Sequence, residues 1–532
     1  MGRQCIAPVP KPRKRRSTSG LSEAESGRVS VSNLLSSTPE QSSTPAVASY
    51  GAAPSQSYFA PQPRQPDVYR EPLPVQVDRP YDARQPFPSL FAERLGLSAR
   101  GMPPEDLLNG TNHHAVQDCL AAFQPMQHSS LFTKIASNSD PFELVTRRPI
   151  TTLAICIVTL AAYPEKQDRM CKALKHSLTE RRSSKSEPSV DEATGLLIYL
   201  NWVHHHGADH SFYCDLHHLA ALATEIGRLG RLDVETQRLL LGCYYLCSTS
   251  TIGDASRSNP LPWSQELGRL LGQLSRVPSD AQDRTLVALV ELARSSEELG
   301  VSLQKTLSQY ATGQQHVAID MYTTASSQNL ANIARANPHL ASSLAFRAAH
   351  VQTQAYALRS ASANDTNKVL EAALSIKDLI ESVLSLPPAL MHQMCVVDWT
   401  SLLAVLAFMV QLFIPSMSQA ASWAAGPLHT TIQPIHVLDA LATHMRSAPY
   451  NERNERFTGW FSDLTGALKA KVSRDGRRTS AESMGGFRPV NQEQSPPAPV
   501  SSRRQSGNVV DPFGVFRPEL LEDTFWDRFL NQ

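Results

Sequence analysis

The sequence predicts an all-α protein in which a large helical domain is flanked by long disordered segments. Apolar residues recur at steps of three and four through most of residues 107–471, which is the period of a helix that packs on one face. No segment there alternates between apolar and polar residues as a half-buried strand does. The regions on either side are rich in Ser, Pro and Gln, so they bury too little apolar surface to offset the entropy of ordering.

The composition limits how much of the chain can fold and which partners the charge favours. A chain of 532 residues with 41% hydrophobic content can bury a large core, although not along its whole length. The net charge of +1 favours no class of partner, and the scattered cysteines are typical of a reducing compartment. The chain divides into a basic segment at 1–16, a disordered linker at 17–106, the helical domain at 107–471, a second disordered linker at 472–510 and an acidic-aromatic tail at 511–532.

The first segment contains a compact basic cluster and no acidic residue. Its members are Lys11, Arg13, Lys14, Arg15 and Arg16. Such a cluster predicts binding to the acidic groove of a nuclear import receptor, and therefore a location in the nucleus. The alternative is a solvated basic tail that binds no receptor.

The linker at 17–106 is predicted to contain no helix. The segment from Pro61 to Pro88 contains eight prolines, counting both ends, and the last two are Pro86 and Pro88. Prolines this closely spaced leave no room for a helix. The linker has no heptad repeat, so it does not predict a coiled-coil dimer, and homodimerisation is left open.

Helices are predicted in sequence along the domain. Asp140 is expected to cap a short helix that leads into a buried apolar run at 150–162, and residues 179–189 are expected to form a loop. The other predicted helical segments are 114–123, 131–136, 166–176, 193–203, 215–230, 235–247, 267–274, 283–299, 317–333, 340–360, 366–384, 389–414 and 435–471. The apolar runs at 150–163 and 402–414 are shorter than the ~20 residues that cross a bilayer, so no membrane partner is predicted.

The stretch at 192–263 is expected to form the centre of the domain. One face of its second helix contains Leu216, Leu219, Leu222, Ala223, Ile226 and Leu229. Asp233 is expected to cap the next helix, which is apolar on nearly every side and should therefore lie inside the bundle. Cys243 and Cys247 stand one helical turn apart on that helix and should line the core. Redox chemistry is not expected there, because neither cysteine has an adjacent basic residue to lower the pKa of its thiol.

Several features follow one another in an order that is typical of one protein family. They are a phenylalanine-to-alanine pattern at 142–162, an alanine- and leucine-rich helix at 220–230, the charged pair Glu235 and Arg238, a leucine- and tyrosine-rich helix at 240–246, a serine-to-proline turn at 250–260 and an aspartate-led helix at 283–299. This order resembles the middle homology domain of fungal binuclear zinc-cluster transcription factors. It departs from the family at Leu241-Gly242, where the family has two tryptophans, and at Gly253-Asp254-Ala255, where it has glycine-arginine-proline.

The resemblance implies a nuclear transcriptional regulator whose helical domain restrains or tunes activity. In that family six cysteines share two zinc ions in a DNA-binding module, and a basic linker follows the sixth. Cys5, just before the basic cluster, resembles that sixth ligand; the alternative is an ordinary exposed thiol. One cysteine cannot hold such a cluster, so the chain as given carries no cofactor, and zinc and DNA are expected only through an upstream module.

The C-terminal tail contains aromatic and leucine residues at helical spacing among acidic ones. These apolar residues are Leu521, Phe525, Trp526, Phe529 and Leu530. Such a segment is predicted to fold as it docks into a groove of the transcriptional machinery. The alternative is a terminal helix that packs on its own domain.

Other functional classes find less support. Zinc-ligand residue types cluster at His204, His205, His206, His210, Cys214, His217 and His218, but a helix end with half-buried histidines explains them better than a metal site. The chain contains no phosphate-binding loop, dinucleotide fingerprint, nucleophile elbow or zinc-protease helix, so no enzyme is predicted. The acidic residues Glu192, Glu225, Glu235 and Asp254 are expected on ordinary helix surfaces. The rival interpretation is an α-helical scaffold or accessory interaction protein that does not bind DNA.

Overall fold

The computed structural model describes residues 87–97, 108, 110–127, 132–136, 139–184, 187–206, 212–229, 232–250, 258–276, 278, 281–309, 312–358, 366–413, 428, 430–447 and 452–484. Every regular element in these ranges is a helix, so the all-α prediction is confirmed for this part of the chain. The first nine α-helices are α1 Phe87–Arg94, α2 His113–Met126, α3 Pro141–Arg147, α4 Pro149–Thr159, α5 Pro164–Ser184, α6 Val190–Asn201, α7 Val203–His206, α8 Phe212–Gly227 and α9 Val234–Thr249. The next nine are α10 Gln265–Arg276, α11 Ala281–Gln309, α12 Thr312–Ala336, α13 Leu344–Ala357, α14 Thr366–Leu384, α15 Pro388–Met391, α16 Val396–Leu412, α17 Pro434–Arg446 and α18 Glu452–Met484.

Two adjacent helices, α4 and α6, form the centre of the bundle. Every residue of α4 except Thr159 is buried, as its uninterrupted apolar sequence predicts. The two helices approach closely because Gly195 has no side chain: a Cβ at that position would lie 2.8 Å from the carbonyl carbon of Ile150. Helices α2 and α5 pack on α4, while α8 and α9 pack on α6.

Helix α9 connects this centre to the second half of the domain. Residues 239–249 are all buried, which confirms that the helix lies inside the bundle. It contacts α10, α11 and α16, and α13 packs between α12, α14 and α16. One continuous apolar core extends from Phe87 to Val472, with three small satellite clusters between α11, α12 and α13.

The two predicted capping aspartates act as expected. The Asp140 carboxylate accepts the backbone N–H of Phe142, and the Asp233 carboxylate accepts that of Thr236. A third aspartate caps a helix other than its own: the Asp191 carboxylate, at the start of α6, accepts the N–H groups of Ile150 and Thr151 at 3.0 and 2.9 Å. Asp191 therefore joins the N-termini of α4 and α6.

The helical domain begins earlier than predicted. Residues 87–94 form α1, although the sequence analysis placed them in a linker that prolines would keep free of helix. The helix tolerates Pro88 because this residue stands in the first turn, where a backbone N–H would have no intrahelical acceptor in any case. The helix is fixed by the buried rings of Phe87 and Phe91 and by the Ser177 hydroxyl, which donates to the Leu95 carbonyl at 2.7 Å.

Five other predictions of local structure need correction. Residues 132–136 are irregular instead of helical, and Ile135 bonds through its backbone to the Gln127 side chain. Helix α5 extends to Ser184, so the loop predicted from residue 179 begins later. The segments predicted at 389–414 and 435–471 are each divided into two helices, α15 with α16 and α17 with α18. Helix α18 continues to Met484, so the start of the linker predicted at 472–510 is helical. Leu229 is 65% exposed, although it was predicted on the apolar face of its helix.

No helix among the described residues is long and apolar enough to span a lipid bilayer.

Candidate functional site

The histidine triplet lies at a junction of distant elements. Helix α7, which holds it, contacts α4, α5 and α18. His205 Nε2 donates to the carbonyl oxygen of His392 at 2.7 Å, across 187 positions of the chain. His206 stacks on the Tyr199 ring with centroids 4.0 Å apart, and its Nε2 donates to the Tyr199 carbonyl at 3.0 Å. Two of the three histidines therefore have structural partners.

His204 differs from its two neighbours. Its side chain is 5% exposed, yet neither Nδ1 nor Nε2 makes a hydrogen bond within the described part of the chain. The backbone of His392, whose carbonyl oxygen accepts from His205, also lies close enough to His204 to oppose the effect of burial on the pKa of its imidazole.

Aromatic rings surround His204. Phe457 of α18 lies 5.2 Å from it and Trp399 of α16 lies 6.3 Å from it, measured between ring centroids. Phe457 and Trp399 are 4.7 Å apart, and Phe461 lies 5.6 Å from Trp399. The indole N–H of Trp399 is also buried without a partner in the described residues. We call His204, Trp399, Phe457 and Phe461 the aromatic cluster.

Burial favours the neutral form of His204, His205 and His392. Burial lowers the pKa of His204 well below its ordinary value and also lowers that of His205. Burial lowers the pKa of His392 to about 4. A neutral imidazole has one N–H donor and one acceptor nitrogen, so the cluster offers an acceptor from His204 and donors from His204 and Trp399.

The residues of zinc-ligand type are not gathered into one site within the described part of the chain. His218 lies instead against Glu192, with its Nε2 3.3 Å from the Glu192 Oε1 and both side chains largely buried. Cys214 is exposed on α8, and His210 lies outside the described residues. Among described residues, no group of three or more His, Cys, Asp or Glu is arranged to hold a metal ion.

The acidic residues singled out in the sequence have different environments. Glu192 is 3% exposed, so its assignment to a helix surface was wrong: it faces the partly buried His218 of α8. Glu225 is exposed as expected, and the half-buried Glu235 bonds to Arg148. Asp254 lies outside the described residues.

Two bidentate ion pairs join three of the stretches that carry the family resemblance, at 142–162, 235–238 and 283–299. Arg148 of the first stretch binds both carboxylate oxygens of Glu235, with Nη2 3.0 Å from Oε2. Arg238 binds both oxygens of Asp283, the first residue of the third stretch, at 2.7 and 2.9 Å. The Asp283 side chain is 1% exposed, so this second pair is almost removed from solvent.

The departure from the family pattern at Gly242 has a steric explanation. A Cβ at Gly242 would lie 2.5 Å from the Cβ of Phe132. The Phe132 ring packs against Tyr245 with centroids 5.1 Å apart and occupies the space that a larger residue at 242 would need. Cys243 and Cys247 line the core as predicted, and burial raises the pKa of both thiols.

Sequence reasoning missed the second half of the aromatic cluster. Phe457 and Phe461 were covered only by the helical segment predicted at 435–471, and Trp399 and His392 were given no role. Nothing in the sequence around Trp399, at the start of a helix, predicts that it will contact a histidine 195 positions earlier. The contact depends on how α7, α16 and α18 pack together.

The remaining predicted site residues lie outside the described part of the chain. These are Cys5, the basic cluster Lys11, Arg13, Lys14, Arg15 and Arg16, and the tail residues Leu521, Phe525, Trp526, Phe529 and Leu530.

The chain matches no protein-family model, no curated protein sequence and no solved structure.

Proposed function

We propose that the chain is a nuclear transcriptional regulator of the fungal zinc-cluster type, and not an enzyme. In this proposal the helical domain tunes an activity that the two terminal segments carry. The basic cluster binds an import receptor, and the acidic-aromatic tail binds the transcriptional machinery. Contact with DNA belongs to a six-cysteine zinc module, in which Cys5 corresponds to the last ligand.

The observation that supports the proposal most is the convergence of the motif residues. Three of the stretches that carry the resemblance are joined by two ion pairs: Arg148, within the first stretch, with Glu235, and Arg238 with Asp283. A chance resemblance would leave such charged residues scattered over helix surfaces, where most charged side chains lie. The stretches that resemble the family pattern are therefore also stretches whose ion pairs connect α4, α9 and α11.

A reporter assay tests the role of the tail. The full chain is fused to a heterologous DNA-binding module, and transcription of a reporter gene is measured. Replacing Phe525, Trp526 and Phe529 together by Ala should lower activation about tenfold or more, because buried aromatic anchors supply most of the energy of such docking. Replacing Asn531 and Gln532 by Ala is the matched control and should preserve activation.

The reporter result also separates the proposal from its rival, an α-helical scaffold. A fusion that is expressed in the nucleus but leaves transcription unchanged would contradict the regulator role. So would full activation by the triple alanine variant.

An imaging experiment tests the basic cluster. Replacing Lys11, Arg13, Lys14, Arg15 and Arg16 by Ala should abolish nuclear accumulation of a fluorescent fusion, because import receptors recognise the positive charge. A control that exchanges Lys for Arg and Arg for Lys at the same five positions keeps the charge and should remain nuclear. Equal nuclear signal from the alanine variant would contradict the assignment.

A further inference from the structure

Pairs of adjacent arginines occur five times in the chain, and four of them have a serine or threonine two positions after the second arginine. These four motifs occupy residues 15–18, 181–184, 477–480 and 503–506. A basophilic protein kinase, one whose substrate groove is lined by acidic side chains, binds two arginines placed in this way ahead of the hydroxyl that it modifies. The exception is the pair at 147–148.

Two of the pairs have side chains that the structure describes, and their environments are opposite. Arg148 bonds to Glu235 and is followed by residues of the core. The motif at 181–184 forms the end of α5, where Ser184 is exposed. The pair inside the bundle therefore lacks the hydroxyl acceptor, whereas the pair at the surface has one.

The end of α5 can unwind to enter a kinase groove. Both arginines and the serine can face one groove only when the segment is extended, because successive residues of a helix point in different directions. The buried residues of α5 end at Leu178, so its last six residues contribute no buried side chain to the core. A helix end with so few apolar contacts opens at little cost in free energy.

The same two arginines lie near acidic groups on neighbouring helices. Arg182 Nη2 is 3.6 Å from Oδ1 of Asp215 on α8. Burial raises the pKa of Asp191 at the start of α6, and the nearby positive charge of Arg181 acts against that rise. Because the Asp191 carboxylate joins the N-termini of α4 and α6, a change of charge at the end of α5 acts on the centre of the bundle.

We propose that Ser184 is a phosphorylation site of a basophilic serine/threonine kinase, and that its phosphate draws Arg181 away from Asp191. Ser184 Oγ already lies over the turn of Arg181, since it donates to the Arg181 carbonyl at 3.1 Å. Residues three apart on a helix are neighbours, so a phosphate on Ser184 can bind the Arg181 guanidinium through two oxygens. The phosphate also places negative charge at the C-terminus of α5, where the helix dipole disfavours it.

The phosphoryl group comes from ATP. Ser184 Oγ bonds to the γ-phosphorus, the bond from that phosphorus to the oxygen shared with the β-phosphate breaks, and ADP leaves. The hydroxyl proton passes to the carboxylate base of the kinase. The proposed transcriptional role is not needed for this modification, which depends only on the end of α5 and its neighbours.

A kinase assay on the purified full chain tests the site. The chain is incubated with Mg²⁺, ATP and the catalytic subunit of cyclic-AMP-dependent protein kinase, and phosphate at each position is quantified by peptide mass spectrometry. Ser184 should be modified at least tenfold faster in the parent chain than in the double variant Arg181→Gln, Arg182→Gln, because the kinase groove binds the two positive charges. Unfolding would expose the serine and raise the rate, so it cannot explain a slower reaction.

Arg147→Gln is the matched control. It removes an exposed arginine from the pair that has no acceptor, and it should leave the rate at Ser184 unchanged. The proposal is overturned if Ser184 takes up no phosphate in the folded chain, or takes it up equally fast without the two arginines.

Thermal unfolding measures what the phosphate does to the domain. Kinase treatment should lower the melting temperature of the parent chain by about 2 °C or more relative to Ser184→Ala treated in the same way. The other three motifs are present in both chains, so the difference reports Ser184 alone. Asp191→Asn keeps an oxygen that can accept the N–H groups of α4 but has no charge, so phosphate at Ser184 should lower its melting temperature less. A modified parent chain that melts with treated Ser184→Ala overturns the proposed effect on Arg181.

Discussion

Single residues set how closely the central helices approach one another. Gly195 faces the backbone of Ile150 with no space for a side chain, whereas Gly272 on α10 has no atom within 4 Å of an added Cβ. Both glycines are helical, so both lose the same conformational entropy on folding. Comparing alanine substitutions at the two positions separates the cost of a steric clash between helices from the gain in helix propensity.

We predict that Gly195→Ala destabilises the domain by ~1–3 kcal/mol, because the added methyl group forces α4 and α6 apart against backbone atoms. Gly272→Ala should be neutral or stabilising by up to ~1 kcal/mol, since alanine is the better helix former. Urea unfolding followed by circular dichroism measures both. Equal stability of the two variants would mean that the two helices can separate at no cost.

The ion pair between Arg238 and Asp283 gives a second prediction at this scale. Asp283→Asn should cost ~3 kcal/mol, because it leaves the Arg238 guanidinium, 13% exposed, without its buried counter-charge. The exposed pair Arg269 and Glu266, on one face of α10, provides the control. Arg269→Gln should leave the unfolding midpoint unchanged within error. A loss in Asp283→Asn no larger than in this control would show that the buried pair contributes little.

At the scale of elements, periodicity predicted the long helices well and their interruptions poorly. Residues 366–384 were predicted as a helix and form α14 with those bounds, because a helix of five turns carries its own apolar period. The break between α15 and α16 was missed, although the sequence contains a signal for it. Asp398 stands three residues after Cys395 and its carboxylate accepts the Cys395 N–H at 3.2 Å, which caps a new helix.

The candidate site was less predictable than the helices. Period and capping are local properties, so they could be read from 10–20 neighbouring residues. The contact of His204 with Trp399 joins residues 195 positions apart, and the buried Glu192 pairs with His218 on a different helix, α8. Helix α1 was missed for a related reason: its eight residues gain stability from packing on α3 and not from their own propensity.

The junction of α7, α15 and α16 should make the domain sensitive to acid. His392 has its pKa lowered by burial from the usual 6.5 to about 4, so between these values the unfolded chain binds a proton that the folded chain does not. Stability is therefore present above pH 6.5 and falls as the pH drops towards 4. Asp398 acts oppositely: burial raises its pKa from 3.8 to about 6, so its contribution grows as the pH falls through this range.

We predict that His392→Gln reduces the loss of stability between pH 6.5 and 4 by on the order of 2 kcal/mol. Asp398→Asn should make the loss steeper, because it removes the compensating proton. Urea unfolding at pH 6.5, 5.5 and 4.5 measures both slopes. A change of the same sign in the two variants would contradict the assignment of opposite pKa shifts.

At the scale of the whole domain, the apolar core is unevenly distributed. The main cluster runs through α4, α6, α9 and α16, while the far end of the hairpin between α11 and α12 depends on a satellite cluster of Leu299, Leu303, Ile319 and Tyr356. Val317 and Met321 on α12 are 73% and 58% exposed. With so little apolar contact, this end should open without unfolding the rest.

We therefore predict that backbone amides around Ile319 exchange with solvent deuterium at least tenfold faster than those around Ile155 in α4, because opening the satellite cluster costs less free energy than global unfolding. Hydrogen-exchange mass spectrometry of the full chain measures both segments. Ile319→Ala should accelerate exchange in α12 and leave α4 unchanged, since the two belong to separate apolar clusters. Ile155→Ala should accelerate exchange in α4 and leave α12 unchanged, because α12 exchanges through the local opening of its satellite cluster and not through global unfolding. Identical protection of the two helices in the parent chain would show instead that the hairpin and the core unfold as one cooperative unit.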